Sequence, residues 1–262
     1  MLAVPMAAPT VSLVIPAYNE ERRLPRLLDV LEHEAAKDLA AAGLELVEAV
    51  VVDDGSVDAT PQLMRDGADT NPLVQPVLRP GPNRGKGAAV AAGVRESRGE
   101  LVLVTDADLS TPLLEAGLLL EAVATGADIA IGSRGLEGAC VDRSARRELM
   151  AHGYNLLVRA LTRLPYRDTQ CGFKLFTAES ARALMERQIS ERYAFDLELL
   201  LRARAMGLRV AEVPISWHEQ ADSRVSAWST GAVLAWDTLV LTWRLRRRGT
   251  PTTPAAPVDE QP

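Results

Sequence analysis

The stretch Gly-Glu-Leu-Val-Leu-Val-Thr-Asp-Ala-Asp-Leu-Ser-Thr-Pro, from Gly99 to Pro112, decides how the rest of the chain is interpreted. Residues 101–104 form a short apolar run, which is typical of a fully buried strand. Asp106 and Asp108 follow directly, and in an extended chain their side chains leave the same side of the backbone. Two neighbouring carboxylates repel each other unless a cation lies between them, and Mg²⁺ or Mn²⁺ suits such oxygen ligands. The alternative is that both aspartates are only N-cap or turn residues before a helix that begins near Pro112.

The composition restricts the class of protein before any other motif is considered. The chain has 262 residues, of which 47% are hydrophobic, and this suffices for one large domain or two small ones. A net charge of −6 argues against bulk binding of nucleic acid. The two cysteines, Cys140 and Cys171, have no metal-type spacing. We therefore expect no disulfide scaffold, and a reducing compartment is compatible with the sequence.

Neither end of the sequence carries a strong targeting signal. The N-terminus lacks the basic region and long apolar core of a secretory signal, and no apolar run reaches the roughly 18 residues that span a bilayer. We expect a cytoplasmic protein that is peripheral at the inner face of the membrane.

Strands and helices alternate through the first half of the chain. Each short apolar run ends in a polar cluster, and leucine or alanine positions at helical spacing follow several of these clusters. This order predicts βαβ units, and therefore an α/β fold with a mainly parallel central sheet flanked by helices. Ligands bind beyond the carboxyl ends of such strands, so the clusters predict one cleft. The predicted strands are 11–15, 46–52, 74–78, 101–104 and 127–131, with a further strand at 210–216.

The residue types at these strand ends suit a nucleoside diphosphate. Asp53 and Asp54 are able to accept hydrogen bonds from a base or ribose, or to cap the following helix, and capping is favoured for Asp54. Arg84 and Lys86 lie among glycines at a helix start and suit a phosphate or an acidic partner. Their alternative is a solvated basic turn. The sequence has no Walker motif and no Gly-x-Gly-x-x-Gly after the first strand, which argues against an ATPase and a dinucleotide-dependent dehydrogenase.

Four motifs in this order resemble those of the family 2 glycosyltransferases, whose GT-A fold is a Rossmann-like sandwich. They are Val-Ile-Pro-Ala-Tyr-Asn-Glu-Glu at 14–21, Val-Val-Asp-Asp-Gly-Ser at 51–56, Asn-Arg-Gly-Lys-Gly-Ala-Ala-Val at 83–90 and Thr-Asp-Ala-Asp at 105–108. Their spacing is similar to that of the polyprenyl-phosphate sugar transferases, especially dolichyl-phosphate β-glucosyltransferases. The resemblance covers 11–226. It implies an N-terminal extension at 1–10 and a GT-A domain at 11–226.

The resemblance also implies roles for individual residues of the first half. A nucleoside pocket would form at the first two strand ends, with further contacts to the nucleotide from Lys86 and Asp106. Asp108 would bind Mg²⁺ or Mn²⁺ together with Asp106 and would take part in catalysis. The implied pocket residues are Pro16, Ala17, Tyr18, Glu20 and Asp53.

The second half supplies candidates for binding the acceptor. An arginine-rich stretch follows the 127–131 strand, and it is either a solvated surface loop or a clamp for an acidic head group. The segment 167–176 resembles the corresponding stretch of dolichyl-phosphate glucosyltransferases, which implies that Asp168 lies near the acceptor and acts as general base or orients the acceptor. Cys171 is interpreted as a packed residue, and Asp196 as a site residue by the family pattern. The candidates for binding acceptor or phosphate are Arg134, Arg143, Arg147, Lys174 and Arg224.

The segment 227–248 predicts an amphipathic helix that contains three tryptophans and ends in four arginines. Tryptophan beside a basic end is typical of contact with a membrane interface and anionic lipid. The alternative is a helix packed on the domain. The tail at 249–262 is rich in proline and threonine and is expected to be disordered.

Together these features predict an inverting glycosyltransferase that moves a hexose, glucose first, from a UDP-sugar to a polyprenyl phosphate. GDP-mannose is the competing donor, and a soluble or cell-wall molecule is the competing acceptor. A nucleotide-sugar-binding protein without turnover and a nucleotidyltransferase are the remaining alternatives. No nucleic-acid partner is expected, and the sequence predicts no oligomeric state.

Overall fold

The computed structural model describes residues 7–142, 145–192, 194–218 and 237–244, and for 145–152 it describes the backbone only. The strands are β1 Thr10–Ala17, β2 Glu45–Asp53, β3 Val74–Leu78, β4 Leu101–Val104, β5 Ile129–Ser133, β6 Cys140–Asp142, β7 Lys174–Thr177, β8 Val210–Pro214 and β9 Ser216–His218. The helices are α1 Leu24–His33, α2 Ala35–Ala41, α3 Thr60–Thr70, α4 Lys86–Glu96, α5 Ala116–Ala124, α6 Ala145–Thr162, α7 Ala178–Glu186 and α8 Phe195–Ala205, with a 3₁₀ turn at Leu113–Glu115. Residues 237–244 are helical and are called the C-terminal helix segment below.

Seven strands form one sheet in the order β3-β2-β1-β4-β7-β5-β8. All neighbours pair in parallel except β7, which is antiparallel to both β4 and β5. The prediction of a mainly parallel sheet is therefore confirmed. A separate parallel pair is formed by β6 and β9.

The apolar residues of the strands alternate between two helical layers. Val14 and Val104 pack with the buried faces of α4, α7 and α8, whereas Leu13 and Leu103 pack with those of α1, α2, α3 and α5. Both sides of the sheet are covered, and this explains why β4 is apolar at every position. The layers leave the strand ends as the place where polar side chains collect.

The predicted strand at 210–216 is wrong in one respect, because the structure divides it into two strands. β8 ends at Pro214, which has no N–H to continue a ladder, and β9 begins at Ser216. Between them, the Ile215 N–H bonds the Ser133 carbonyl at 3.3 Å and its side chain is buried. The break redirects the chain so that Trp217 lies on the β6–β9 pair.

A buried carboxylate joins the opposite, amino-terminal ends of β1, β2 and β4. Glu48 is 1% exposed, and it accepts hydrogen bonds from the Ser12 hydroxyl at 2.7 Å and from the Arg98 N–H and Nε at 2.6 and 2.8 Å. The Ser12 hydroxyl in turn accepts the Gly99 N–H at 2.8 Å. This network fixes the start of β4, the strand whose other end carries Asp106.

Replacing Glu48 by alanine is expected to lower the free energy of unfolding by about 3 kcal/mol, because buried donors lose their acceptor. Urea unfolding followed by circular dichroism measures the change. Glu45→Ala is the matched control on the same strand, since Glu45 is exposed, and its effect is expected within about 0.5 kcal/mol. Equal stability of the two variants would contradict the structural role of the network.

Candidate active site

The functional edge of the sheet is set by strand direction. The parallel strands β1, β2, β4, β5 and β8 all end at this edge, and the antiparallel β7 begins there. Lys174 at the start of β7 lies opposite both Val104 and Ile131, the last apolar residues of β4 and β5. The segment that precedes β7 is thereby brought against the Asp106 segment, which is 60 or more positions earlier in the chain.

The ends of β1 and β2 are joined by hydrogen bonds between their turns. Ala17 pairs with Asp53, which is 4% exposed and accepts the Ser56 N–H at 3.1 Å. Asn19 adopts a positive φ of 54° and its N–H donates to the Ser56 hydroxyl at 2.8 Å. The structure thus brings together the five residues expected at the nucleoside pocket. Of these, Tyr18 is exposed and Pro16 lies within β1, while the Glu20 N–H donates to Thr60.

Asp54 does not cap the following helix, so that expectation is wrong. Its buried carboxylate pairs with Arg79 and accepts the side-chain amide of Asn83 at 2.9 Å and the N–H of Gly85 at 2.5 Å. Because α3 begins six residues later, the carboxylate lies nearer to the loop before α4 than to the α3 N-terminus. Asp54 therefore shapes the loop that presents Lys86.

Lys86 and Asp106 form an ion pair in the cleft. Burial would lower the pKa of Lys86, but the charges of Asp106 and Asp196 raise it above its usual value. Burial would likewise raise the pKa of Asp106, but Lys86 lowers it below the ordinary range. Both groups are consequently charged at neutral pH. Arg84, by contrast, forms an exposed ion pair with Glu191.

Asp106 and Asp108 lie in a turn rather than in extended chain. The Leu109 N–H bonds the Asp106 carbonyl at 3.1 Å, and Leu109 adopts a positive φ of 49°. The Asp108 carboxylate accepts the Ser110 N–H at 3.0 Å, and the 3₁₀ turn that follows has no side-chain cap. Neither aspartate caps this 3₁₀ turn, but the alternative that they are turn residues agrees with the structure. Both nevertheless line the same cavity, as the metal hypothesis requires.

Gly172 provides the space that the Asp106 carboxylate occupies. A Cβ atom at Gly172 would overlap Oδ2 and the carboxyl carbon of Asp106. Gly172 lines the cavity together with Phe173, and a larger residue there would push Asp106 out of place. The cavity wall consists of Thr105, Asp106, Asp108, Ser110, Thr111, Arg134, Gln170, Cys171, Gly172, Phe173 and Trp217.

Arg134 enters the cavity from the end of β5 and is held on two sides. Asp168 accepts its Nε at 2.6 Å and its Nη2 at 3.1 Å, and the Trp217 ring centre lies 5.6 Å from the guanidinium carbon. Burial would raise the pKa of Asp168, but Arg134 and the N–H groups of Arg134 and Gln170 lower it to about 2. The pair leaves Arg134 fixed and charged at the cavity wall, and a guanidinium in that position suits an anion.

Lys174 and Asp196 form a second buried pair, next to Cys171 of the cavity wall. The Lys174 ammonium bonds Asp196 at 2.5 Å and also the Cys171 carbonyl, and both side chains are less than 5% exposed. Asp196 thus orients Lys174. The Cys171 thiol is free and buried, and burial raises its pKa to about 11. That value supports a packed residue and not a nucleophile.

Two of the residues predicted to bind acceptor or phosphate, Arg143 and Arg224, lie outside the described residues. For a third, Arg147, only the backbone is described. The sequence analysis in turn missed Trp217, Ser110, Thr111 and Gln170, which line the cavity. Trp217 carried a signal, since it follows the predicted 210–216 strand. The other three are common polar residues without a distinguishing pattern.

The residues present fit a divalent cation. Asp106 and Asp108 offer carboxylate oxygens to one cavity, and Mg²⁺ or Mn²⁺ is commonly held by one or two carboxylates together with substrate phosphates. Within the described residues no group of three or more His, Cys, Asp or Glu side chains forms a metal site. Asp106 and Asp108 are the residues that would hold such a cation, together with oxygens of a phosphate substrate.

The C-terminal helix segment packs one face and exposes the other. Leu241 and Thr238 are buried, and the Thr238 hydroxyl lies 3.0 Å from that of Tyr154 on α6. Leu239 and Trp243 are 44% and 53% exposed. The packed-helix alternative is thus confirmed for this segment, while its outer face remains apolar. Among the described residues, no helix has the length and apolar character needed to cross a membrane.

Comparison with solved structures shows the fold. The chain matches glucosyl-3-phosphoglycerate synthase from Mycobacterium tuberculosis, solved with Mn²⁺, UDP-glucose and phosphoglyceric acid, with a TM-score of 0.63 and 19% identity over 94% of this chain and 81% of that one. It also matches a mannosyltransferase from Pyrobaculum calidifontis, solved with GDP-mannose and Mn²⁺, with a TM-score of 0.59 and 24% identity over 93% and 66% of the two chains. These likenesses confirm the predicted GT-A fold.

Comparison with curated sequences shows the family. A dolichyl-phosphate beta-glucosyltransferase from Trichomonas vaginalis is 39% identical over 225 residues, which cover 82% of this chain and 65% of the relative's length. The human dolichyl-phosphate beta-glucosyltransferase is 39% identical over 236 residues, covering 83% and 70%. The family model described as Glycosyl transferase family 2 matches residues 12–193. The chain therefore belongs to glycosyl transferase family 2.

Proposed function

We propose that this chain transfers glucose from UDP-glucose to a polyprenyl phosphate with inversion at the anomeric carbon. The observation that carries the proposal is the single cavity in which Asp106 and Asp108 face a guanidinium fixed by Asp168. Similarity to dolichyl-phosphate beta-glucosyltransferases over more than four fifths of the chain supports the sugar and the class of acceptor.

The donor would bind along the carboxyl ends of β1, β2 and β4. The nucleoside would lie at Ala17 and Asp53, and the diphosphate at Lys86, Asp106 and Asp108. A divalent cation held by these aspartates would neutralise the negative charge that develops on the leaving diphosphate. Lys86, which is charged and close to Asp106, would add a second positive group to the same oxygens.

The acceptor would bind at Arg134, on the opposite side of the cavity. A phosphate monoester is largely dianionic near neutral pH and is itself a nucleophile, so the reaction needs no strong base. Asp168 is a poor base because its pKa is about 2 and its oxygens are bonded to Arg134 and Gln170. We therefore assign Asp168 the role of positioning Arg134. Lys174, paired with Asp196, would act through the charge it adds next to the cavity wall.

The test of this function is transfer of labelled glucose from UDP-glucose to a polyprenyl phosphate in the presence of Mg²⁺ or Mn²⁺. Asp108→Asn is expected to lower the rate about 1,000-fold, equivalent to about 4 kcal/mol, because a charged metal ligand is lost. Asp69→Asn is the matched control, since Asp69 is exposed on α3. Its rate is expected to equal that of the unaltered chain.

The same assay separates the competing functions. Transfer from GDP-mannose but not from UDP-glucose would overturn the donor assignment, and transfer only to a soluble phosphorylated acceptor would overturn the acceptor assignment. Binding of UDP-glucose without turnover of any acceptor would identify a binding protein. Release of pyrophosphate in place of UDP would identify a nucleotidyltransferase.

The dependence of the rate on pH tests the role of Asp168. Because the pKa of Asp168 is about 2, its carboxylate stays ionised above pH 4, and an acidic limb near pH 6 is expected from the acceptor phosphate. Asp168→Asn is expected to lower kcat/KM about 100-fold by releasing Arg134, while leaving that limb in place. Disappearance of the limb in the variant would instead identify Asp168 as the base.

The exposed face of the C-terminal helix segment is proposed to contact the membrane that carries the acceptor. Trp243 and Leu239 supply its apolar surface, and Arg244 together with 246–248 supplies positive charge for anionic lipid. Trp243→Ala is expected to weaken binding to vesicles of phosphatidylserine and phosphatidylcholine about tenfold in a flotation assay. Leu118→Ala, which removes an exposed leucine from α5, is the control and is expected to bind as the unaltered chain does. Equal binding by both variants would contradict membrane contact at this face.

A further inference from the structure

Two polar side-chain atoms of cavity-lining residues have no hydrogen-bond partner among the described residues. They are Ser110 Oγ and Gln170 Nε2, and both are buried. Ser110 as a whole is 5% exposed. A buried donor or acceptor without a partner costs free energy, so a structure that keeps two of them beside one cavity indicates that a ligand pairs with them.

The backbone of each residue is tied to a different side of the site. The Ser110 N–H donates to Asp108 at 3.0 Å, and the Ser110 carbonyl accepts the His218 N–H at 2.8 Å. The Gln170 N–H donates to Asp168 at 3.1 Å. Ser110 is therefore fixed beside the aspartates proposed for the donor diphosphate. Gln170 is fixed beside the Arg134–Asp168 pair proposed for the acceptor phosphate.

The group that lies between a donor diphosphate and an acceptor phosphate is the one being transferred. Each hydroxyl of a hexose both donates and accepts hydrogen bonds. It can therefore accept a hydrogen bond from Gln170 Nε2, and it can donate to or accept from the Ser110 hydroxyl. The chemistry of the two unpartnered atoms thus matches a hexose. We infer that Ser110 and Gln170 bind hydroxyl groups of the transferred hexose and determine which hexose the site accepts.

This inference rests on the proposed function, but it concerns binding of the hexose and not the transfer step. Thr169 offers a matched control within the same segment. Its hydroxyl is also buried and unpartnered among the described residues, but Thr169 does not line the cavity. Replacing it with valine removes an equivalent polar atom without touching the proposed subsite.

The experiment measures dissociation constants by calorimetry for UDP, UDP-glucose and the UDP-linked 2-, 3-, 4- and 6-deoxyglucoses, each with Mn²⁺. Gln170→Met is expected to raise the dissociation constant of UDP-glucose about tenfold and to leave that of UDP unchanged. The reason is that only the hexose loses a hydrogen-bond partner. In the unaltered chain at least one deoxy analogue is expected to bind about tenfold more weakly than UDP-glucose. Gln170→Met should abolish that difference for the same analogue.

Ser110→Ala provides an independent variant and is expected to abolish discrimination at a different hydroxyl. Thr169→Val is expected to bind each of these ligands with the same dissociation constant as the unaltered chain. The inference is overturned when Gln170→Met and Ser110→Ala keep the discrimination of the unaltered chain, or when they weaken UDP and UDP-glucose equally. It is also overturned when the unaltered chain binds UDP-glucose no more tightly than UDP.

The two proposals fail in different measurements. Glucose transfer to polyprenyl phosphate with unchanged discrimination in both variants would leave the proposed function standing and remove the subsite. If both variants lose discrimination between UDP-glucose and the deoxy analogues, but the unaltered chain transfers glucose only to another acceptor, the subsite is supported and the proposed acceptor is wrong. Thermal unfolding of each variant confirms that the comparison is made between folded proteins.

Discussion

The site depends on one constraint of the sheet, the antiparallel insertion of β7 between β4 and β5. In an all-parallel sheet the residues before a strand lie at the edge opposite the carboxyl ends. Reversal of β7 places its preceding segment, 168–173, at the same edge as Asp106 and Asp108. The residues proposed for the acceptor and those proposed for the donor can therefore meet in one cavity, although they belong to different halves of the chain.

Charge pairing then fixes the side chains that this topology collects. Lys86 pairs with Asp106, Arg134 with Asp168, and Lys174 with Asp196. A buried ion pair contributes little net stability, because desolvation offsets much of the attraction, but it holds both groups charged and oriented. Asp108 lines the same cavity as Asp106 and Arg134, and it forms no ion pair with a Lys or Arg among the described residues. An excess negative charge at this position favours a divalent cation over further basic side chains.

The sequence indicated more of the cavity residues proposed for the donor than of those proposed for the acceptor, and the reason lies in how each set is encoded. Asp53, Lys86 and Asp106 belong to short motifs at the ends of strands whose apolar patterns are clear. Gln170 lies at the cavity because β7 is antiparallel, and Ser110 lies there because of the turn after Asp108. Neither feature produces a periodic pattern in the sequence. The four residues of β7 give no signal for direction, so the antiparallel pairing was not predicted.

The correction at Asp54 illustrates a further limit of motif reasoning. An aspartate before a helix is usually interpreted as a cap, because that hydrogen bond is local and visible in sequence. Asp54 instead bonds Arg79, Asn83 and Gly85, which lie 25 to 31 residues away. Its partners become apparent only when β3 is placed beside β2. The loop that Asp54 holds precedes Lys86, which pairs with Asp106, so a residue assigned to local capping in fact connects two parts of the proposed donor site.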